Sequence, residues 1–125
     1  MADNVWLNPE PNFSGQAGED IDAGEAVCIA ADDGLVYLAD ANDGDRRPCI
    51  GFAEVSVEED EYLTVLGHGQ ICGATGLTPG ATLYLSTTAG AVTQTAPAAY
   101  QQAVGVATCA TEFVIRLEPR EAYGT

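Results

Sequence analysis

Short apolar segments alternate with polar, glycine-containing turns along most of this chain, and two groups of these segments follow the same order. Each group predicts a turn, a strand, a glycine turn, a second strand, a loop and a third strand. Gly80 lies 56 residues after Gly24, and Gly105 lies 54 residues after Gly51. The first group comprises residues 23–29, 33–37 and 50–53, and the second comprises 79–85, 89–93 and 104–107. A β unit that occurs twice without an intervening helix predicts an all-β domain.

The predicted fold is a small β-barrel or β-sandwich built from two similar hairpin-plus-strand units. Residues 1–17 are predicted to form an extended N-terminal arm, 18–118 a single β domain, and 119–125 a polar C-terminal tail. The glycines around His68 predict a tight turn, so we expect the segments before and after it to form a β-hairpin. The predicted strands are 25–31, 35–39, 48–57, 62–66, 70–73, 82–87, 91–95, 102–109 and 112–117.

Two isolated aromatic residues, Trp6 and Phe13, lie on the predicted arm. Aromatic side chains on an arm often anchor it in a pocket of a neighbouring molecule. They can equally fold back onto their own domain, and the sequence leaves both alternatives open.

Net charge restricts the partners that this protein can bind. The 125 residues carry a formal charge of −15, with four arginines and no lysine. Nucleic-acid binding requires a cationic surface, so we expect no nucleic-acid partner, and an anionic membrane surface is disfavoured for the same reason. No apolar run approaches the ~20 residues that span a bilayer. The first residues lack a secretory signal pattern, so we expect synthesis in a cytoplasm.

The acidic residues are distributed unevenly along the chain. Sixteen of the 19 lie in residues 1–61, and between residues 62 and 117 the only charged residues are Glu112 and Arg116. Charged residues are depleted at the centres of protein interfaces. The second unit is therefore either covered by another molecule or simply a variant rich in threonine, serine, alanine and glycine.

The four cysteines show no metal-binding spacing. Cys28, Cys49, Cys72 and Cys109 contain no C-x-x-C pair. Three of them, at 28, 49 and 109, lie inside apolar strand-like segments, where a free thiol behaves as a small buried hydrophobe. Free core thiols are the expected state, whereas exposure of a particle to an oxidising medium would permit disulfides within or between chains.

Several segments together resemble known proteins of viral particles. Residues 18–27 and 33–41, and then 76–87, 90–93 and 104–107, are similar to small capsid decoration (cement) and head-fibre proteins of tailed bacteriophages or archaeal tailed viruses. The resemblance covers about residues 15–117 and consists of turn-and-strand patterns. It implies a β module, commonly trimeric, that lies on the outside of a capsid and joins neighbouring major capsid proteins.

The expected function is therefore structural, without a cofactor or catalytic site. The loop 40–45 lacks the calcium-loop pattern, because its fifth position is Gly44 and the twelfth would be Gly51. The single histidine, His68, lies in a turn, and no nucleophile motif accompanies it. The alternative function is a fibre module that binds host glycans. The residues expected to contact the capsid or another subunit are Trp6, Phe13, Tyr84 and Tyr100.

Overall fold

Ten β-strands build the part of the chain that the computed structural model describes, residues 12–117. These residues contain no helix, which confirms the all-β prediction. Strand pairing is antiparallel throughout the two sheets. The strands are β1 (Phe13–Gln16), β2 (Ala26–Ile29), β3 (Val36–Leu38), β4 (Gly51–Ala53), β5 (Tyr62–Leu66), β6 (Gln70–Cys72), β7 (Thr82–Leu85), β8 (Val92–Thr93), β9 (Ala103–Cys109) and β10 (Glu112–Ile115).

The two sheets have the same topology. The first sheet has the order β1-β5-β4-β2-β3, and the second has the order β6-β10-β9-β7-β8. Each strand of the second sheet is thus the fifth strand along the chain from its counterpart in the first. We call β1–β5 the first repeat and β6–β10 the second repeat. The predicted duplication is confirmed, and of the two predicted architectures the structure has the sandwich, because neither sheet closes into a barrel.

The predicted hairpin around His68 is wrong. Strand β6 pairs with β10 in the second sheet, whereas β5 pairs with β1 and β4 in the first. The reason is the duplication itself, since β6 opens the second repeat and pairs with β10 as β1 pairs with β5. The turn therefore connects the two sheets and carries an exposed His68.

The β domain also begins earlier than the predicted boundary at residue 18. Phe13 to Gln16 pair with Val65 to Tyr62, so this part of the predicted arm is an edge strand of the first sheet. Directly after it, Ala17 bridges Val36 and Ile21 bridges Val57. The segment 17–21 is thereby held against the first sheet. Residues 1–11 and the predicted tail 119–125 lie outside the described residues.

Alternating side chains give each sheet two faces, which we name by equivalent positions in the repeats. Val27 in β2 and Leu83 in β7 pair with equivalent glycines, Gly51 and Gly105, and lie on what we call the front face. The opposite side is the back face. It carries Ala26, Cys28, Phe52 and Leu66 in the first sheet, and Thr82, Tyr84, Val106 and Val114 in the second.

The two repeats stack front to back. The central core joins the back face of the first sheet to the front face of the second, and Phe52 meets Phe113 edge-on at 5.4 Å between ring centroids. A second cluster lies on the front face of the first sheet, where Ala17 and Ile21 pack with Val27 and Val65. One face of the sandwich remains: within residues 12–117, no hydrophobic cluster forms on the back face of the second sheet.

Candidate docking surface

The back face of the second sheet is an open surface with almost no charge. Tyr84, Val106 and Val114 are half-buried on it, and Thr82 is exposed. Among the strand residues of the second sheet, Glu112 is the one charged residue. A partly apolar surface with a single charged residue, on a chain with a net charge of −15, has the composition of an interface centre.

Strand alternation produces this surface. In β7, Leu83 and Leu85 point into the central core while Thr82 and Tyr84 point away from it. Strand β10 behaves similarly, with Phe113 buried in the core and the next residue on the open side. The sequence predicts Tyr84 as a contact residue, whereas its neighbours Val106 and Val114 are identified by the structure. The scarcity of charge on the outward positions of three adjacent strands, where Glu112 is the one charged residue, is the signal in the sequence that could identify them.

A comparison of equivalent positions shows how the two back faces differ. Ala26 in the first repeat corresponds to Thr82 in the second, and Phe52 corresponds to Val106. The first-repeat residues are fully buried against the neighbouring sheet. Their second-repeat counterparts are smaller or carry a hydroxyl group, yet none of them is charged. The back face of the second sheet is therefore less apolar than the back face of the first sheet, but it is likewise uncharged at these two positions.

Two thiols lie on either side of Glu112 at one end of this surface. Glu112 pairs with Cys72 on β6 and with Cys109 on β9, and it accepts a hydrogen bond of 2.7 Å from Gln70 Nε2. Partial desolvation and the Glu112 carboxylate raise the pKa of Cys72. Hydrogen bonds from the backbone N–H and hydroxyl of Thr111 lower the pKa of Cys109.

The four cysteines are free thiols in two different environments. Cys28 and Cys49 are completely buried in the central core, as predicted. Cys109 is only half-buried, which corrects its predicted place in the core, and Cys72 is exposed. Cys72 and Cys109 are two strand spacings apart, about 10 Å, which exceeds the Cα separation that a disulfide bridges. A bond between these two thiols would therefore require backbone movement.

The structure separates the predicted contact residues. Phe13 folds back onto its own domain, where it packs beside the front-face cluster of the first sheet. Tyr100 packs against the central core beneath the guanidinium of Arg47, 4.5 Å from the ring centroid. Tyr84 lies on the open back face, and Trp6 lies outside the described residues. Tyr84 is thus the predicted contact residue that the fold leaves on a surface suited to a partner.

The acidic residues lie mainly on the first repeat. Asp20, Asp22, Glu58 and Glu61 line a surface cleft of about 490 Å³. In the loop 40–45, the carboxylates of Asp40 and Asp43 each accept a hydrogen bond from the backbone N–H two residues further along the chain, so they stabilise local turns. Among residues 12–117 no group of three or more histidine, cysteine, aspartate or glutamate side chains has the arrangement of a metal site. The same residues include no helix that is long and apolar enough to span a membrane.

Comparison with known proteins finds similarity at the level of structure. No protein-family model matches the chain, and no curated protein matches it. The fold is similar to the crystal structure of the head fiber gp8.5 N base of bacteriophage phi29, with a TM-score of 0.53 and 16% sequence identity. The match covers 84% of this chain and 92% of the phage domain. At this identity the likeness establishes a shared fold.

Proposed function

We propose that this protein is a structural component of a tailed-virus head, a decoration (cement) protein that binds the outside of the mature capsid. The observation that carries the proposal is the back face of the second sheet, which carries a single charged residue on an otherwise strongly acidic module and which no cluster of the described residues covers. The fold shared with a phage head-fibre base supports the same assignment. The proposed partners are the major capsid protein and further copies of the chain in a homotrimer.

The proposed mechanism is a rigid module that stabilises contacts between major capsid proteins. The two stacked sheets share one core, so the module presents a fixed surface rather than a flexible one. A protein that binds only the assembled shell stabilises that shell by mass action. Many copies act on one particle, so a modest affinity at each site suffices. The acidic first repeat faces solvent and keeps particles apart by charge repulsion. The role requires no catalytic residue, cofactor or nucleic acid.

Binding to expanded capsids that lack the protein tests this function. We expect regular occupancy of equivalent lattice positions by electron microscopy, together with a higher melting temperature of the decorated shell. A variant that adds a charge to the acidic first repeat, Ser56→Asp, serves as a control and should bind as the wild type does. Bare capsids at every salt concentration would contradict the proposal.

A fibre module that binds host glycans is the second candidate. It is favoured by Tyr62, whose side chain is 70% exposed on an edge-proximal strand and is free to stack on a sugar ring. Two other tyrosines are less suitable, because Arg46 covers the ring of Tyr37 and Arg47 covers that of Tyr100. A glycan array with wild-type protein and a Tyr62→Ala variant distinguishes the candidates. Binding that the substitution abolishes would favour the fibre module.

A further inference from the structure

The internal repeat shows what a back face of this fold is suited to contact. In the first sheet, Ala26 and Phe52 on the back face are buried against an apolar β surface from the other repeat. In the second sheet, the equivalent positions Thr82 and Val106 occupy a face of the same topology that no described residue covers with a hydrophobic cluster. The open face therefore continues the stacking direction of the sandwich.

A second copy cannot extend the stack by offering its first-sheet front face. In every copy that face is already covered, because Ala17 and Ile21 pack on it and the backbone N–H of Gly18 donates to Val36 O at 2.8 Å. Among the sheet faces of residues 12–117, the one that no hydrophobic cluster covers is the back face of the second sheet, and a second copy can offer that same face. Front-to-back stacking thus ends within one chain, and a contact that uses the uncovered face of both copies is back to back.

Charge favours a second copy at this surface. Two molecules that each carry −15 repel one another wherever acidic residues face each other. The strands of the second sheet reduce this repulsion, since Glu112 is their one charged residue, although it lies on the back face opposite Cys72. Glu112 is also hydrogen-bonded to Gln70 within its own chain.

We infer that copies of this chain associate through the back faces of their second sheets, with Thr82, Tyr84, Val106 and Val114 at the contact. This inference goes beyond the proposed function, because a back-to-back contact uses the same surface of both copies, pairs two of them and is separate from the contacts that would form the proposed homotrimer. Five strands at about 4.8 Å spacing and about four residues long give a face of about 300 Å². Stable interfaces usually bury about 800 Å² per partner, so we expect weak association that depends on protein concentration.

Sedimentation velocity of the free protein, from sub-micromolar to sub-millimolar concentration, measures this association without a capsid. The test variant is Thr82→Glu, which places a new charge on an exposed strand position of the face. The matched control is Thr87→Glu, which adds the same charge at an exposed position in the β7–β8 turn. We expect Thr82→Glu to weaken association by about tenfold or more, because like charges then face each other at the contact. Thr87→Glu should associate as the wild type does.

Alkylation of Cys72 provides a second measurement that needs no substitution. This exposed thiol lies on β6 at the end of the face, so its reaction with a maleimide should slow as the protein associates. Mass spectrometry of labelled protein at low and high concentration reports the change, and circular dichroism confirms that each variant is folded.

Three outcomes would overturn the inference. The first is a wild type that stays monomeric over the whole concentration range, and the second is equal association of Thr82→Glu and the wild type. The third is a rate of Cys72 labelling that does not fall as the protein concentration rises, which would mean that association leaves this face uncovered. If Cys72 is protected on capsids alone, the face binds the capsid instead, and the proposed function stands without this self-association.

Discussion

The side-chain amide of Gln102 pairs with the backbone of Cys49 through two hydrogen bonds of 2.8 Å. Gln102 Nε2 donates to Cys49 O, and the backbone N–H of Cys49 donates to Gln102 Oε1. Both residues are buried, and Gln102 is the one polar residue in the buried set of residues 12–117. Cys49 lies just before β4, and Gln102 lies just before β9, so the pair connects the first repeat to the second. One glutamine therefore completes the hydrogen bonding of a backbone segment that has no strand partner at that point.

Replacing this glutamine should destabilise the fold strongly. Gln102→Leu leaves the buried N–H and C=O of Cys49 without partners, and we expect the free energy of unfolding to fall by about 2–4 kcal/mol. Urea denaturation measures the change. Gln101→Leu is the control, because the neighbouring glutamine is exposed and its replacement should stay within about 0.5 kcal/mol of the wild type. Equal stability of the two variants would contradict the assigned role.

Equivalent glycines in the two repeats should both be intolerant of a side chain. A Cβ atom at Gly51 would lie 2.5 Å from Leu66 O, and one at Gly105 would lie 2.6 Å from Val114 O. Because a backbone oxygen cannot move aside, we expect each Gly→Ala substitution to cost about 1–3 kcal/mol in thermal or chemical denaturation. Gly44→Ala is the control, since its nearest contact is Arg47 Nη2 at an unstrained 3.7 Å. Similar stability of all three variants would show that the strands are not this close.

The four thiols should react with iodoacetamide in a defined order. Near neutral pH we expect Cys109 to react first, because Thr111 lowers its pKa and favours the nucleophilic thiolate. Cys72 should follow, since its pKa is raised although it is exposed. Cys28 and Cys49 should react only after unfolding. Peptide mass spectrometry measures the order, and Thr111→Val should slow Cys109 specifically. Early labelling of Cys49 would show that the central core opens in the native state.

The buried thiols should make stability fall at alkaline pH. Burial raises the pKa of Cys28 from 9.0 to about 11 and that of Cys49 to about 12. A group whose pKa is higher in the folded state contributes stability that is complete below its unfolded pKa. That contribution is lost as pH rises through the folded value, here between pH 9 and about 12.

Denaturation curves at several alkaline pH values test this dependence. Cys49→Ala should reduce the loss of unfolding free energy as pH rises. The cavity that the substitution creates also lowers stability, but by a similar amount at every pH. Cys72→Ala is the matched control and should change the slope less than Cys49→Ala does, because that thiol is exposed. An unchanged slope in Cys49→Ala would remove Cys49 as the cause.

Local features of the sequence were sufficient to predict the duplicated strands. Gly24 and Gly80 adopt φ values of +87° and +86°, and Gly34 and Gly90 adopt +74° and +81°. Such a left-handed backbone conformation favours glycine, so the glycines at these positions allow the turns to be predicted from the sequence. Strand β5 occupies the predicted 62–66, and the other predicted strands are shorter in the structure.

Long-range pairing explains what sequence reasoning missed. The turn at His68 has the composition of a hairpin turn, yet the strands before and after it belong to different sheets. Strand β6 pairs with β10, just as β1 pairs with β5 in the first repeat. Likewise, the sequence predicts an arm at Phe13, because its partner strand β5 lies about fifty residues further along the chain. Contacts at such separations leave no local pattern.

The sequence by itself determined the repeat, the approximate positions of most strands, the turn glycines and the excess of acidic residues in the first half of the chain. Tertiary structure alone decided that the repeats stack front to back. Val27 and Leu83 occupy equivalent positions, yet one packs under the segment 17–21 and the other against the opposite sheet. Alternation assigns side chains to two faces of a strand, but it does not specify which molecule or segment covers each face. That choice depends on contacts between distant segments, and among residues 12–117 it leaves the back face of the second sheet without a hydrophobic cluster.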